Sequence, residues 1–154
     1  MPPGRDKAVS DADIWSRHSD ELIRYATVLV GPASAEDLVS TVVLRVLQRR
    51  ALSDLENPRP YLFKGVLNEA RTLARRNSHH VSSAEDSVPP PDVNPELLAA
   101  VRRLPQRQRA AVYLTYWRDL PTAETAQLMG CGVGTVKRYL HLARSHLREV
   151  LDER

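Results

Sequence analysis

Residues 122–151 carry the pattern that most restricts how this chain can fold. Residues 122–129 suit a short helix that Thr122 can cap, and Gly130-Cys131-Gly132 supplies a break after it. A second helix is predicted from Val133 to about Val150. Its apolar residues recur at helical spacing on one stripe, which comprises Val136, Leu140, Ala143, Leu147 and Leu151. Two helices joined by a glycine-bearing turn predict a helix-turn-helix.

The opposite face of that second helix is small, polar and positive. It comprises Gly134, Lys137, Arg138, His141, Ser145 and Arg148. Charged helix residues usually form a solvated face. Here, however, no acidic residue offsets the four cations between Lys137 and Arg148, Arg144 among them, whereas a stripe selected for solubility would more often mix signs. We therefore favour DNA binding, in which the start of such a helix reaches base edges in the major groove.

The charge of the chain is unevenly distributed. The 154 residues are 42% hydrophobic, which is enough for compact cores, and the net charge is +3. Residues 1–77 hold 12 basic and 10 acidic residues, residues 78–94 hold three acidic residues and no lysine or arginine, and residues 95–154 hold 10 basic and six acidic residues. Two basic ends flank an acidic middle.

Cysteine content and hydropathy indicate an intracellular protein. The single cysteine, Cys131, permits no internal disulfide, and the N-terminus lacks the apolar core of a signal peptide. The longest apolar run, residues 26–30, is far too short to span a bilayer. We expect a cytoplasmic protein.

Two helices are predicted before residue 51. Ser10 with Asp13 resembles a capping box, and the first helix would place Trp15, His18, Leu22, Ala26 and Leu29 on one face before Gly31-Pro32 ends it. Ser34 with Asp37 repeats the pattern for a second helix to about Arg50, whose buried stripe would be Leu38, Val39, Val42 and Val46. Its outer face would hold Asp37, Ser40, Thr41, Leu44, Arg45 and Gln48, with Leu44 exposed among polar residues.

A third helix is predicted from Pro58, capped by Asn57, to about Arg76. Its core face would be Leu62, Val66, Ala70 and Leu73. On the opposite face lie Lys64, Asn68, Arg71 and Arg75, a cationic stripe that suits a phosphate backbone. Tyr61 is the better candidate to stack on an unpaired base, and Phe63 the better core residue.

The composition changes at residues 78–94, where serine, acidic residues and Pro89-Pro90-Pro91 predict a flexible linker. It divides the chain into domains at residues 10–77 and 95–152. In the second domain, Pro95 and Pro105 open two short helices in which Val112 faces inward and Tyr113 and Tyr116 are candidates to join it. The arginines at their junction, Arg102, Arg103, Arg107 and Arg109, suit phosphate contact and solvation equally.

Motifs of catalysis and of metal or cofactor binding are missing from the sequence. It contains no phosphate loop, no zinc-spaced ligand set and no nucleophile elbow, and His79-His80 suits a solvated linker better than a metal site. We expect no enzymatic activity, no metal and no cofactor. The chain is predicted to be all-α, with two small helical domains that each offer a face to nucleic acid.

Several segments resemble the extracytoplasmic-function (ECF) sigma factors of bacteria. Region 2 of that family resembles residues 21–26, 35–39, 44–45 and 58–62, with Asn68. Region 4 resembles residues 104–105, 107–109, 123–126, 134–138 and 143–144. The resemblance covers roughly residues 15–150 in the family's order and spacing.

The resemblance implies a dissociable subunit that gives RNA polymerase its promoter specificity. The second helix would dock on the coiled coil of the largest polymerase subunit through Asp37, Ser40, Thr41, Leu44, Arg45 and Gln48. The third helix, with the loop at 51–57, would bind and melt the minus-ten element through Tyr61, Lys64, Asn68, Arg71 and Arg75. The last helix would read the minus-thirty-five element through Gly134, Thr135, Lys137, Arg138, His141, Arg144, Ser145 and Arg148. Short family members of this form are often held inactive by an anti-sigma factor.

Two other functions stay open at this point. A helix-turn-helix regulator that acts without polymerase could carry an N-terminal dimerisation bundle, but such a bundle would have no use for the Lys64–Arg75 stripe. A polymerase-binding interaction protein without promoter recognition is favoured by Ser40-Thr41, which stands where the family usually has glutamine and an acidic residue. Transcription with core polymerase separates these hypotheses.

Overall fold

A computed structural model describes residues 9–76 and 95–152, and this part of the chain is all-α, as predicted. The helices are α1 Asp11–Val30, α2 Pro32–Leu47, α3 Pro58–Arg76, α4 Pro95–Arg102, α5 Gln106–Val112, α6 Thr122–Met129 and α7 Val133–Asp152. A 3₁₀ turn, Leu52–Asp54, precedes α3, and a π-helical turn, Tyr113–Trp117, extends α5. The predicted linker at 78–94 and His79-His80 lie outside the described residues.

Helix α1 begins where its capping pattern predicts. The Ser10 hydroxyl accepts from the Asp13 amide at 3.1 Å, and the Asp13 carboxylate accepts from the Ser10 amide at 3.3 Å. Two amides that would otherwise lack partners at the helix start are thereby satisfied. Leu22, Ala26 and Leu29 are buried, so the predicted apolar face of α1 packs into the core.

The predicted start of α2 is wrong. The helix begins at Pro32, with Gly31 at the N-cap position in a backbone conformation of φ 88°, and Ser34 makes no cap. Proline favours the first helical position because its φ is already helical and its missing amide has no partner to lose there. The Gly31-Pro32 pair therefore ends α1 and starts α2 with no intervening loop. The predicted stripe, Leu38, Val39, Val42 and Val46, is buried.

Helix α3 begins at Pro58, as predicted, and packs closely on α2. Leu62, Val66 and Ala70 are buried. A Cβ added at Gly65 would lie only 2.8 Å from Cγ1 of Val42, so glycine permits this approach. Helices α1, α2 and α3 form a first bundle.

The helix-turn-helix has the predicted bounds with one difference at its start. Pro121, not Thr122, occupies the N-cap position of α6. After α6, Gly130 adopts the left-handed conformation at φ 72°, and the Cys131 amide donates to the Ala126 carbonyl at 3.0 Å. A left-handed glycine that closes a helix in this way favours the sharp turn into α7. Helices α4 to α7 form a second bundle.

The π-helical turn changes the exposure of the tyrosines near α5. The Arg118 amide donates to the Tyr113 carbonyl at 3.1 Å, five residues back, which widens the helix and rotates the side chains within the turn. Tyr113 is buried, as predicted, but Tyr116 is 49% exposed, so its inward placement is wrong.

The two bundles pack on each other and share one continuous hydrophobic core. Helix α3 contacts α6, and α1 contacts α5. Across this boundary the ring of Tyr25 lies 6.1 Å from that of Tyr113, and within the first bundle it lies 4.9 Å from that of Phe63. The sequence predicts two tethered bodies but gives no sign of this contact. The domain boundaries themselves stay a prediction.

Candidate nucleic-acid interface

The predicted DNA-binding face of α7 is exposed along its whole length. We call this face the α7 ridge; its members are Gly134, Thr135, Lys137, Arg138, His141, Arg144, Ser145 and Arg148, and each is exposed. Val136, Leu140 and Ala143 on the opposite stripe are 0%, 8% and 0% exposed. Helix α7 thus seats its apolar stripe on its own bundle and presents its cations outward.

One cation of the α7 ridge is held by a neighbour. Nη2 of Arg144 donates to the Tyr116 hydroxyl at 2.5 Å, and both side chains are exposed. Tyr116 lies in the π-helical turn, and its hydroxyl is at the surface beside α7. The bond limits the rotamers of Arg144 and so favours one direction for its guanidinium.

The cationic stripe of α3 also lies at the surface. Its members are Lys64, Asn68, Arg71 and Arg75, which are exposed together with Tyr61. We call these five residues the α3 stripe. Phe63 is 2% exposed and Tyr61 is 47% exposed, which matches the predicted division between a core ring and an available ring. Their role in nucleic-acid binding stays a prediction.

The α3 stripe borders the second bundle. A Cβ added at Gly130 would lie 2.7 Å from Cδ of Lys64, so the lysine stem crosses directly over the turn of the helix-turn-helix. Two helical turns further on, Arg71 helps to line a cavity of about 300 Å³ whose other wall includes Arg107 and Tyr139. The α3 stripe therefore adjoins the turn of the helix-turn-helix, a contact that no local sequence signal predicts.

The predicted polymerase-binding face of α2 is largely exposed. Asp37, Ser40, Leu44, Arg45 and Gln48 are exposed, whereas Thr41 is half-buried and donates its hydroxyl to the Asp37 carbonyl at 2.8 Å. Arg45 forms an ion pair with Glu69 of α3.

Leu47 is a residue of this face that sequence reasoning missed. It is 42% exposed, one helical turn from Leu44, which is 58% exposed. The two leucines form an apolar pair at the end of α2. The available signal was that both lie outside the buried stripe of α2 and are separated by three residues, which places them on the same face.

An ion network that the sequence analysis missed centres on Arg59. Its Nε and Nη2 atoms bond the Glu21 carboxylate at 2.9 and 3.2 Å, and its Nη1 atom bonds Glu124 of α6 at 2.7 Å. His18 at 3.0 Å and Arg118 at 3.4 Å also contact Glu21. His18 is half-buried and contacts Glu21 within the first bundle, which agrees with its prediction as a packed histidine.

The network shifts the pKa of both principal members. Burial acts to raise the pKa of Glu21, but hydrogen bonds from Arg59 and His18 outweigh it, and that pKa lies below its ordinary value. The bond to Glu21 in turn raises the pKa of Arg59. The carboxylate is stabilised in its charged form although only 16% of its side chain is exposed.

The sequence left Arg109 with two equally suitable roles, phosphate contact and solvation, and the structure shows neither. Its Nη1 atom donates to the carbonyls of Val28 and Leu29, each at 3.1 Å, and its Nη2 atom donates to those of Arg102 and Leu104 at 2.7 and 2.9 Å. The carbonyls of Val28, Leu29 and Arg102 lie in the last turns of α1 and α4, where helices leave acceptors without partners, and that of Leu104 lies two residues beyond α4. Helix α1 has no basic residue in its own last turn, and Arg109 supplies the cation from the other bundle.

Desolvation accompanies this buried position. Burial, followed by the charge of Arg102, lowers the pKa of Arg109. The guanidinium remains protonated because the ordinary pKa of arginine is so high. The sequence carried one usable signal, which was the absence of any cation in the last turn of α1.

Comparisons with known proteins place this arrangement of helices in a family. Residues 14–80 match the model of sigma-70 region 2, and residues 95–147 match the model of sigma-70 region 4. The RNA polymerase sigma-E factor of Streptomyces antibioticus is 32% identical over 152 residues, which cover 92% of this chain and 84% of that protein. The ECF RNA polymerase sigma factor SigL of Mycobacterium tuberculosis is 33% identical over an alignment of 155 residues, gaps included, which covers 91% of this chain and 88% of that protein. The chain belongs to the ECF RNA polymerase sigma factors.

Solved structures of sigma factors share its fold. The sigma factor RpoE of Bartonella quintana, solved in complex with the anti-sigma factor NepR, superposes with a TM-score of 0.67 at 23% identity and covers 92% of this chain and 96% of its own. CnrH, solved with the cytosolic domain of CnrY, gives 0.61 at 20% identity, covering 93% and 88%. Among the described residues of this sigma factor, no helix is long and apolar enough to cross a membrane.

Proposed function

We propose that this sigma factor binds core RNA polymerase and directs transcription initiation at specific promoters. The observation that carries the proposal is the α7 ridge, in which eight exposed positions rich in cations back onto a buried apolar stripe within a region 4 match. This is the division of faces that a recognition helix needs in order to enter a major groove while remaining seated on its own domain.

The α7 ridge is proposed to read the minus-thirty-five element. Lys137, Arg138 and His141 occupy the half of the ridge nearest the turn, where a recognition helix contacts base edges. Thr135 suits a phosphate contact at the helix start. Arg144 and Arg148 lie farther along and suit the phosphate backbone.

The α3 stripe is proposed to bind the minus-ten element after its strands separate. The exposed ring of Tyr61 offers a face on which an unpaired base can stack, and Asn68 has an amide suited to a base edge. Lys64, Arg71 and Arg75 supply positive charge along the same side of the helix. Together they suit a single strand better than an intact duplex.

Helix α2 is proposed to dock on the coiled coil of the largest polymerase subunit. Leu44 and Leu47 present an apolar pair whose polar surroundings are Asp37, Ser40, Thr41, Arg45 and Gln48. A small apolar patch with a charged rim is typical of a protein-binding surface. The site of action is then the cytoplasm, and the proposal includes no enzymatic activity of the chain itself.

In vitro transcription tests the proposed function. The purified chain is added to core polymerase with a pool of promoter fragments, and the transcripts are sequenced. We expect initiation from a subset of fragments that share two motifs. Polymerase-independent, tight binding to a duplex operator, with no transcript from any fragment, would support a regulator that acts without polymerase.

An anti-sigma factor is a proposed further partner. RpoE was solved with NepR and CnrH with the cytosolic domain of CnrY, and these two sigma factors share their fold with this chain. Purification of the tagged chain from its own cells, followed by identification of the bound proteins, tests for polymerase and for an inhibitor in one experiment.

A further inference from the structure

Tyr116 is the exposed member of a π-helical turn whose other residues are buried or partly buried. Tyr113 and Leu114 lie in the core, and Trp117 packs against it, so the backbone is held on both sides of Tyr116. A tyrosine ring has few rotatable bonds, and a fixed backbone therefore leaves its hydroxyl little freedom. The structure thus places a well-defined hydroxyl at the surface beside α7.

The hydrogen bond between Tyr116 and Arg144 leaves donors available on both side chains. Nη2 of Arg144 donates to the hydroxyl oxygen of Tyr116 at 2.5 Å. Because a phenol both accepts and donates, the hydroxyl proton of Tyr116 can still be donated to another acceptor. A guanidinium carries several N–H groups, so Arg144 can donate to the same acceptor. Two such donors side by side suit an anionic oxygen.

The surroundings of Arg144 on α7 are positively charged. No carboxylate pairs with Arg144 within residues 9–76 and 95–152. Arg148 lies four residues after it and His141 three residues before it, which places both on the same face of the helix. Between Lys137 and Arg148 the sequence has no acidic residue. An anion that approaches Arg144 therefore meets cations and no opposing negative charge on this face.

The position of Arg144 along α7 indicates which anion it would meet. Lys137, near the start of the helix, precedes Arg144 by seven residues, or roughly 10 Å along the helix axis. The major groove of DNA is about 12 Å wide. When the start of α7 contacts base edges, Arg144 and Tyr116 are thus far enough along to reach the phosphates at the edge of the groove.

We infer that Tyr116 and Arg144 together bind one backbone phosphate of the duplex whose base edges meet the start of α7. The inference rests on the proposed function, because it requires that the α7 ridge bind duplex DNA. Tyr116 extends the interface beyond the recognition helix. It donates to the phosphate and also holds the Arg144 guanidinium in place, so that less side-chain entropy is lost on binding.

A second tyrosine of α7 supplies a matched control. The hydroxyl of Tyr139 accepts a hydrogen bond from Nη1 of Arg107 at 3.5 Å. This pair lines the cavity between the two bundles and is not part of the α7 ridge. Tyr139→Phe therefore removes the same atom from the same kind of pair, at a site away from the proposed phosphate.

The inference is tested with holoenzymes, which are assembled from core polymerase and full-length variants. The DNA is a promoter fragment on which the wild type initiates transcription, and filter binding measures affinity. Tyr116→Phe should lower the affinity about three- to tenfold, as expected for one lost hydrogen bond, and Tyr139→Phe should leave it unchanged. Arg144→Ala should also reduce the salt dependence by about one phosphate contact. The double variant should lose less than the product of the two single effects, since both side chains bind one phosphate.

A scan with neutral phosphates identifies the contact. Each fragment carries a single methylphosphonate, which replaces one charged phosphate oxygen with a methyl group, in or beside the minus-thirty-five element. At one position this change should weaken binding by the wild type and by Tyr139→Phe, but should have a smaller effect on Tyr116→Phe. A purely structural role of the Tyr116 hydroxyl would not single out one phosphate.

Three results would overturn the inference while the wild type still transcribes: equal affinities of the Tyr116→Phe and Tyr139→Phe holoenzymes, multiplicative effects of the Tyr116 and Arg144 substitutions, or a scan with the same profile in Tyr116→Phe and the wild type. Urea unfolding should show equal stability of Tyr116→Phe and the wild type. If it does not, Arg144→Lys, which keeps the charge at an exposed site, must single out the same phosphate or the inference fails. A wild-type holoenzyme that makes no transcript would refute the proposed function and the inference together.

Discussion

His146 of α7 lies 2.9 Å from Gln108 of α5, with Nδ1 of the imidazole facing Oε1 of the amide. Gln108 is 7% exposed, so the contact satisfies a buried polar group while it ties α7 to the centre of its bundle. Together with the buried stripe of α7, it fixes the helix about its own axis. The α7 ridge is therefore presented as a rigid surface, for which binding energy is not diminished by ordering of the helix.

Substitution of Arg138 should weaken promoter binding. Arg138→Ala is expected to lose about 1–3 kcal/mol of binding free energy if the guanidinium bonds a guanine in bidentate fashion, and to relax preference at one base position. Fluorescence anisotropy with a labelled minus-thirty-five duplex measures both effects. Arg17→Ala removes the same charge from an exposed site on α1 and serves as the control. An unchanged sequence preference in the Arg138 variant would contradict the assignment.

Charge reversal at Arg45 should weaken association with core polymerase. Arg45→Glu changes the rim of the Leu44–Leu47 pair and also breaks the ion pair with Glu69. The control is Glu69→Ala, which breaks the same ion pair but keeps Arg45. We expect a pull-down with core polymerase to lose the Arg45 variant and retain the Glu69 variant. Equal retention of both would reject the placement of polymerase on this face of α2.

The Glu21 network predicts acid sensitivity. The pKa of Glu21 is lowered in the folded protein, so its charged form stabilises the fold above the unfolded pKa, and this contribution is lost as pH falls through the folded pKa. The free energy of unfolding should therefore fall more steeply from about pH 5 to pH 3 in the wild type than in Glu21→Gln. Urea unfolding across this range measures the difference. Parallel pH profiles would show that the network does not stabilise the fold.

Substitution of Gly65 should destabilise the first bundle. The new Cβ of Gly65→Ala would lie 2.8 Å from Val42, which requires a shift of two closely packed helices and should cost about 1–3 kcal/mol in urea unfolding. Gly134→Ala is the control, because nothing lies within 4 Å of the added atom there. That variant should lose no stability. If Gly65→Ala left the free energy of unfolding unchanged, α2 and α3 would be less closely packed than the structure shows.

Most helices could be predicted because their signals are local. Pro58 and Pro95 mark helix starts through their fixed φ, and Gly130 marks a helix end through its left-handed conformation. The apolar stripe of α7 repeats at helical spacing, and Val136, Leu140 and Ala143 are buried as predicted while Leu147 is partly buried. The side chain of Leu151 lies outside the described residues. In each case the residue that carries the signal lies within a turn of the feature it determines.

The contacts between the bundles could not be predicted because the partners are far apart in the sequence or are backbone carbonyls, which every residue type has. Arg109 bonds four backbone carbonyls, and any residue type can supply a carbonyl. Its acceptors in α1 lie 80 and 81 residues away in the sequence. The Gly31-Pro32 pair was correctly predicted as a helix end, but its second role as a helix start was hidden by the more familiar pattern of Ser34 and Asp37.

The contacts across the boundary between the two bundles differ in how strongly salt weakens them. Mobile ions weaken the pair of Arg59 with Glu124, but they have little effect on a guanidinium enclosed by four peptide oxygens. At rising ionic strength the edge near Glu124 should loosen first, while the site of Arg109 stays closed and acts as the pivot. The boundary between the bundles would then open first at the edge near Glu124 and stay closed longest at the last turn of α1.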